Sequence, residues 1–87
     1  MAVVYIPPQL RELTGGVERV TVPGGSLRQV INNLEAEYTG LTEYLLVDGD
    51  ISPAIAVAVD GDIIRLGLLQ PVQESSEVHF LPAIAGG

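Results

Sequence analysis

The chain has no cysteine, no tryptophan and no lysine, and only one histidine, His79. Each absence removes a class of chemistry. Without a thiol there can be no disulfide framework, no thiolate zinc site and no cysteine nucleophile. With one imidazole, a hydrolytic triad would have to be built from His79 and Ser75 or Ser76, and neither serine sits in a nucleophile-elbow motif. One histidine among scattered carboxylates is also a poor metal set, so no metal site is expected. The apolar runs Ile55–Val59 and Ile63–Leu69 are closed off by Asp, Gly and Arg, far short of the roughly 18 residues that would span a bilayer. Met1 to Ile6 has no basic lead and runs into Pro7-Pro8, which does not fit an export signal. A soluble, cytoplasmic protein is the expectation.

Positive charge is scarce. Eleven Asp and Glu stand against four Arg, a formal net charge of −7 over 87 residues. Such a surface repels phosphate backbones and anionic lipid, which argues against nucleic acid and membrane as partners. A basic protein groove would attract it; surplus carboxylates that merely keep a small domain soluble explain the count equally well. At this length there is room for one domain, and the 47% hydrophobic content suffices for a modest core.

Ala2 to Ile6 is apolar, β-branched and aromatic, and Val17 to Val22 alternates; both predict strands. Gly15-Gly16 lies where a chain reversal needs positive φ, so the two strands read as an antiparallel hairpin with a longish loop. Pro23-Gly24-Gly25 closes the second strand. Ser26, three residues before Gln29, then opens a helix whose apolar positions Leu27, Val30, Ile31, Leu34 and Tyr38 recur at helical spacing. The helix is predicted to run to about Tyr38 and to stop at Gly40. Gly24-Gly25-Ser26 could hold an anion on free N–H groups, yet the loop carries no Lys or Arg, and capping already accounts for it. Arg28 near the helix start and Glu35 and Glu37 near its end oppose the macrodipole. They read as a partner-facing acidic patch or as surface drift.

Leu41 to Val47 predicts a short second helix or turn, and Asp48 to Pro53 a loop. Ile55, Val57 and Val59 alternate with Ala54, Ala56 and Ala58, which predicts a strand with a bulky inner face and a flat outer one. Asp60-Gly61 is a tight-turn dipeptide before a short strand at Asp62 to Leu66. The two Asp-Gly-Asp triplets lack the further ligands and closing Glu of an EF-hand, so turn chemistry explains them better. Gly67 to Ser76 reads as irregular. Glu77 to Leu81 reads as a last strand with Val78 and Phe80 on one face and His79 and Leu81 on the other. The order β, β, α, then three more strands predicts an α+β domain with one main helix packed across a mixed sheet of 4–5 strands.

The end of the chain is the most informative segment. Two terminal glycines arise by chance in about one chain in 200, and here they follow Pro82, Ala83, Ile84 and Ala85 with no polar tail. Residues 83–87, extended at about 3.3 Å each, would reach roughly 16 Å, comparable to an expected radius of gyration of about 12 Å. Such a tail can enter another protein's active site while the body docks outside. Paired glycines pass a channel in which any Cβ would clash. The delivered group is the carboxylate of Gly87, a poor electrophile that becomes useful once activated.

With Phe80-Leu81-Pro82-Ala83-Ile84-Ala85-Gly86-Gly87 closing a hairpin, helix and strand order, the chain resembles the MoaD/ThiS sulfur carriers, which have the ubiquitin-like β-grasp fold. Leu10-Arg11, Thr14-Gly15-Gly16 and Leu34 to Gly40 look most like the cysteine-biosynthesis carriers and the related molybdopterin synthase small subunits. The resemblance implies a β-grasp domain over residues 1–82 and an extended tail over 83–87. It implies that an E1-like enzyme uses ATP to adenylate Gly87, that sulfur replaces AMP to give a thiocarboxylate, and that a cysteine synthase-like enzyme or a molybdopterin synthase large subunit receives the sulfur. The chain would be a protein substrate rather than an enzyme and would bind no cofactor itself. Pro82, Ala83, Ile84, Ala85 and Gly86 would thread the partner's active site, and Ala56, Ala58, His79 and Leu81 would form the docking face. The same tail chemistry also permits a protein modifier joined through Gly87 to lysines of targets. Where the family often has Gly-Asp before the last strand, this chain has Ser75-Ser76-Glu77.

Overall fold

The computed structural model describes residues 1–83. Strand β1 (Ala2–Tyr5) pairs antiparallel with β2 (Arg19–Val22), as the hairpin reading expects. The loop between them is ordered into a 3-10 helix, Pro8–Thr14, which composition alone does not reveal. Pro8 suits its first turn, where the missing N–H costs nothing. Leu10 and Thr14 point inward, and the Thr14 hydroxyl donates to the Val17 carbonyl at 2.9 Å. Gly15 and Gly16 take φ of 66° and 90°, so the reversal does rest on positive φ.

Helix α1 (Leu27–Glu37) follows, with Leu27, Val30, Ile31 and Leu34 buried on one side. Ser26 Oγ accepts from the Gln29 N–H at 3.3 Å. The returning Gln29 side-chain Oε1 accepts from Gly25 N–H at 2.8 Å, one residue earlier than in a standard capping box. Gly24 is required by sterics: its φ is 149°, and a Cβ there would lie 2.9 Å from both the Val30 Cγ2 and N atoms.

A one-turn helix α2 (Thr42–Leu45) leads into a small hairpin of β3 (Leu46–Val47) and β4 (Asp50–Ile51). The expected loop at Asp48-Gly49 is thus a tight two-residue turn with φ of 53° and 80°. Both positive angles match the right-handed twist of the flanking strands. Asp60-Gly61 repeats the device, with φ of 53° and 89°, between β5 (Ile55–Val59) and β6 (Asp62–Ile63).

The segment from Gly67 to Ser76 is less irregular than its composition implies. It holds a 3-10 turn at Gly67–Leu69, and Leu68 and Val72 are buried. Two main-chain bonds, Leu27 N–H to the Gln70 carbonyl and Val72 N–H to the Gly25 carbonyl, tie it to the start of α1.

The final strand β7 (Glu77–Pro82) enters the middle of the sheet, giving the order β2-β1-β7-β5-β6. It runs parallel to β1 and antiparallel to β5. The sheet's inner residues Val4, Val20, Val22, Val57, Val78 and Phe80 share one core cluster with the buried face of α1 and with Leu41 and Leu45. The architecture is the expected one: five mixed strands with a helix across one face.

Candidate functional site

Alternation along β7 decides what the outer sheet face displays. Val78 and Phe80 are buried, so Glu77, His79 and Leu81 face outward. Register then places His79 opposite Ala58 and Leu81 opposite Ala56. The four residues expected to form the docking face therefore lie together on one surface. Leu81 is exposed, Ala56 and His79 are half-buried, and Ala58 is buried as a flat floor within its row.

Sequence reasoning missed the rest of that row. Arg19 pairs with Tyr5, Tyr5 with His79, His79 with Ala58, and Ala58 with Ile63, so one line of outward residues crosses all five strands. The Tyr5 and His79 rings stack with centroids 4.2 Å apart and planes 8° from parallel. Glu77 Oε1 lies 3.6 Å from His79 Nε2. The stack restrains each ring against the other, presenting an aromatic pair rather than two independent side chains. Tyr5 carries an outward signal in its own strand, since it alternates with buried Ala2, Val4 and Ile6. What the sequence lacks is any sign that β1 and β7, at opposite ends of the chain, are neighbours.

At the end of β7, Pro82 still pairs with Ile55, and the Ala83 N–H donates to the Ala54 carbonyl at 2.9 Å. Beside this point lies a mainly apolar cavity of about 180 Å³ lined by Pro7, Leu10, Tyr44, Ile55, Leu81 and Pro82, among others. Ile84, Ala85, Gly86 and Gly87 lie outside the described residues.

Two carboxylates fasten elements of the fold to one another. Asp60 accepts from the Glu77 N–H at 2.9 Å and from the Ser76 hydroxyl at 2.7 Å, and Ser76 in turn accepts from the Gln73 N–H. The donors, the Glu77 amide first, hold the Asp60 carboxyl below the ordinary aspartate value. Ser76 is buried within this clasp, which gives Ser75-Ser76-Glu77 a structural job at the entry to β7.

Glu35 overturns the reading of the helix charges. Its carboxylate accepts from the Thr42 N–H at 2.9 Å, the Thr42 hydroxyl at 3.0 Å and the Gly40 N–H at 2.8 Å. It therefore caps the start of α2 instead of facing a partner, and those amide donors, Thr42 first, hold its carboxyl below the usual glutamate value. Its value is tertiary: it joins two helices, a benefit invisible to a macrodipole count on α1 alone. Among the described residues no cluster of three or more His, Asp and Glu could hold a metal ion, and no helix is long and apolar enough to cross a membrane.

A mixed five-stranded sheet gripping one main helix, with the last strand central and leading to a Gly-Gly end, is a ubiquitin-like β-grasp protein. The chain belongs to the ThiS family, whose family model matches residues 4–87. It is similar to the sulfur carrier protein CysO of Mycobacterium tuberculosis, 36% identical over 89 residues and covering 97% of this chain and 96% of that protein. The crystal structure of the Amycolatopsis orientalis BexX/CysO complex contains a chain of matching shape, with TM-score 0.92, 30% identity and full coverage of both chains. The small archaeal modifier protein 1 of Methanosarcina acetivorans is a more distant likeness, with TM-score 0.80, 26% identity and coverage of 99% and 95%.

Proposed function

We propose that this chain is a sulfur carrier whose Gly87 carboxylate is the working group. An E1-like enzyme adenylates it: a carboxylate oxygen attacks the α-phosphorus of ATP, pyrophosphate leaves, and an acyl adenylate results. Hydrosulfide then attacks the carbonyl carbon and expels AMP, and loss of the S–H proton leaves a thiocarboxylate on Gly87. The sulfur passes to an acceptor enzyme, cysteine synthase-like or a molybdopterin synthase large subunit. The carrying observation is the placement of β7. A strand paired with β1 as far as His79 and with β5 as far as Pro82 is a rigid base for the five residues that follow, so docking of the body sets the reach of the tail.

Ala56, Ala58, His79 and Leu81, extended by Tyr5, form the docking face in this reading, and Pro82 to Gly86 thread the partner's channel. The relative found in the BexX/CysO complex supports docking on a second protein. No catalytic residue is required of this chain, because the activating and accepting enzymes supply the chemistry.

Intact-mass measurement after co-expression with the activating enzyme from the same genome should show one oxygen replaced by sulfur. A one-residue extension beyond Gly87 should abolish that species and leave the circular dichroism unchanged. Persistent absence of the sulfur-bearing species from the unmodified chain rejects the carrier reading.

The likeness to a small archaeal modifier favours a second reading, in which the activated Gly87 forms an isopeptide with a target lysine. With no lysine in the chain, only its N-terminal amine could then carry a further copy. Conjugates in a host lysate that vanish on deleting Gly87 would select it.

A further inference from the structure

All four aspartates of the chain fall in its two Asp-Gly-Asp triplets, Asp48-Gly49-Asp50 and Asp60-Gly61-Asp62. An aspartate followed by glycine is open to a particular reaction, in which the glycine nitrogen closes on the aspartate side-chain carbon with no Cβ of its own to block the approach. Asp50 and Asp62 are each followed by isoleucine, whose branched Cβ crowds the same path. That leaves Asp48 and Asp60.

Local conformation does not separate the two. Each heads a tight turn at φ of 53°, with the following glycine at 80° in one and 89° in the other. Their attachments do. The Asp60 N–H donates to the Glu77 carbonyl at 2.9 Å, and its carboxylate is fixed by the Glu77 N–H and the Ser76 hydroxyl. This turn also caps β5, which is paired with β7 from Ile55 to Val59. Asp48, by contrast, is exposed, and its carboxylate has no hydrogen bond or ion pair among the described residues. The Gly49 N–H donates to no described main-chain group, and the space around Gly49 is open. β3 and β4 meet only as Leu46 with Ile51 and Val47 with Asp50, in a sheet of their own. So short a ladder opens locally at little cost, which frees the turn to reach the geometry of attack.

We propose that Asp48-Gly49 is a site of covalent modification, converting to isoaspartate in the folded chain while Asp60-Gly61 is protected. The Gly49 nitrogen attacks Cγ of the protonated Asp48 carboxyl. The N–Cγ bond forms, the Cγ–OH bond breaks, and the hydroxyl leaves with the amide proton as water, giving a five-membered succinimide. Water then reopens the ring. Cleavage between nitrogen and Cγ restores aspartate, whereas cleavage between nitrogen and the main-chain carbonyl carbon routes the chain through the Asp48 side chain. One water leaves and one enters, with no oxidant or reductant. The product inserts a methylene into a two-residue turn whose closure depends on its paired positive φ angles, so the hairpin loses its fit. It also releases the Asp48 main-chain carboxylate as a free group. That carboxylate is the substrate type of an S-adenosylmethionine-dependent isoaspartyl methyltransferase, so the site accepts a methyl group only after it has isomerised.

The full chain is incubated at mildly acid pH, in buffer and separately in urea, then assayed with purified isoaspartyl methyltransferase and labelled methyl donor. Electron-transfer fragmentation of the tryptic peptide ending at Arg65 assigns the product to one aspartate or the other. In urea the two should isomerise at similar rates. In the folded chain Asp48 should isomerise at least about tenfold faster than Asp60. Asp48→Ser should remove nearly all methyl acceptance from the folded chain and leave its circular dichroism unchanged. Asp48→Asn, which closes the same ring with loss of ammonia, should show the mass increase of amide-to-acid conversion while folded. A folded chain that forms no isoaspartate at Asp48 overturns the proposal, as do equal rates at Asp48 and Asp60 in that chain.

Discussion

The two faces of the central sheet are built from the same strands and differ in what they are for. On the inner face Val4, Val57, Val78 and Phe80 are buried against α1. On the outer face Tyr5, Ala56, His79 and Leu81 are also largely apolar or aromatic, yet no element of the described chain covers them. A domain that needed only a stable core would put polar groups there, as one-sided antiparallel sheets usually do. Neighbouring residues on one strand, Phe80 and Leu81, thus answer to different demands, one to stability and one to contact.

Phe80→Ala should show the largest effect. Removing a side chain that is 5% exposed should cost about 3–5 kcal/mol in urea unfolding. A loss below about 1 kcal/mol would mean that β7 is not central to the core.

Smaller and pH-dependent effects are expected where carboxylates join the layers. Glu35→Ala should cost about 1 kcal/mol, the usual scale of a lost cap, reduced by the partial exposure of the group. For Glu35 and Asp60 the folded-state values lie below the unfolded ones. Their contribution is therefore complete above about pH 5, clear of both unfolded values, and is lost as pH falls from there through the lower folded values. A Glu35→Ala, Asp60→Ala double variant should accordingly show a flatter stability profile below about pH 5 than the parent chain. Equal slopes would show that these clasps do not titrate with folding.

The smallest change in stability is expected one residue from the largest. Leu81→Asp should move unfolding by no more than about 0.5 kcal/mol. The same change should weaken binding to the activating enzyme at least about tenfold, measured with a chain lacking Gly87 so that docking is separated from chemistry. Unaltered binding would remove the outer face from the docking reading while leaving the tail reading intact.

Local pattern made much of this protein legible. The period of Leu27, Val30, Ile31 and Leu34 defines α1, Ser26 and Gln29 mark its start, and alternation sorts Phe80 from Leu81. Features that depend on distant partners were not legible. Glu35 looked like a charge at the wrong helix end because its three donors come from Gly40 and Thr42, past the helix terminus. The Pro8–Thr14 turn has no periodic signature, since its inward residues Leu10 and Thr14 are too few to form a pattern.

The sequence by itself determined the main helix, the strands of the five-stranded sheet, their inner faces, the lack of thiol and lysine chemistry and the Gly86-Gly87 pair. These follow from backbone preferences and from the presence or absence of reactive groups. Only the tertiary structure decided that β1 and β7 are parallel neighbours, and hence that Tyr5 stacks on His79 in a row running from Arg19 to Ile63. Pairing between strands some seventy residues apart is selected by the collective burial of one core. No local preference of either strand encodes it.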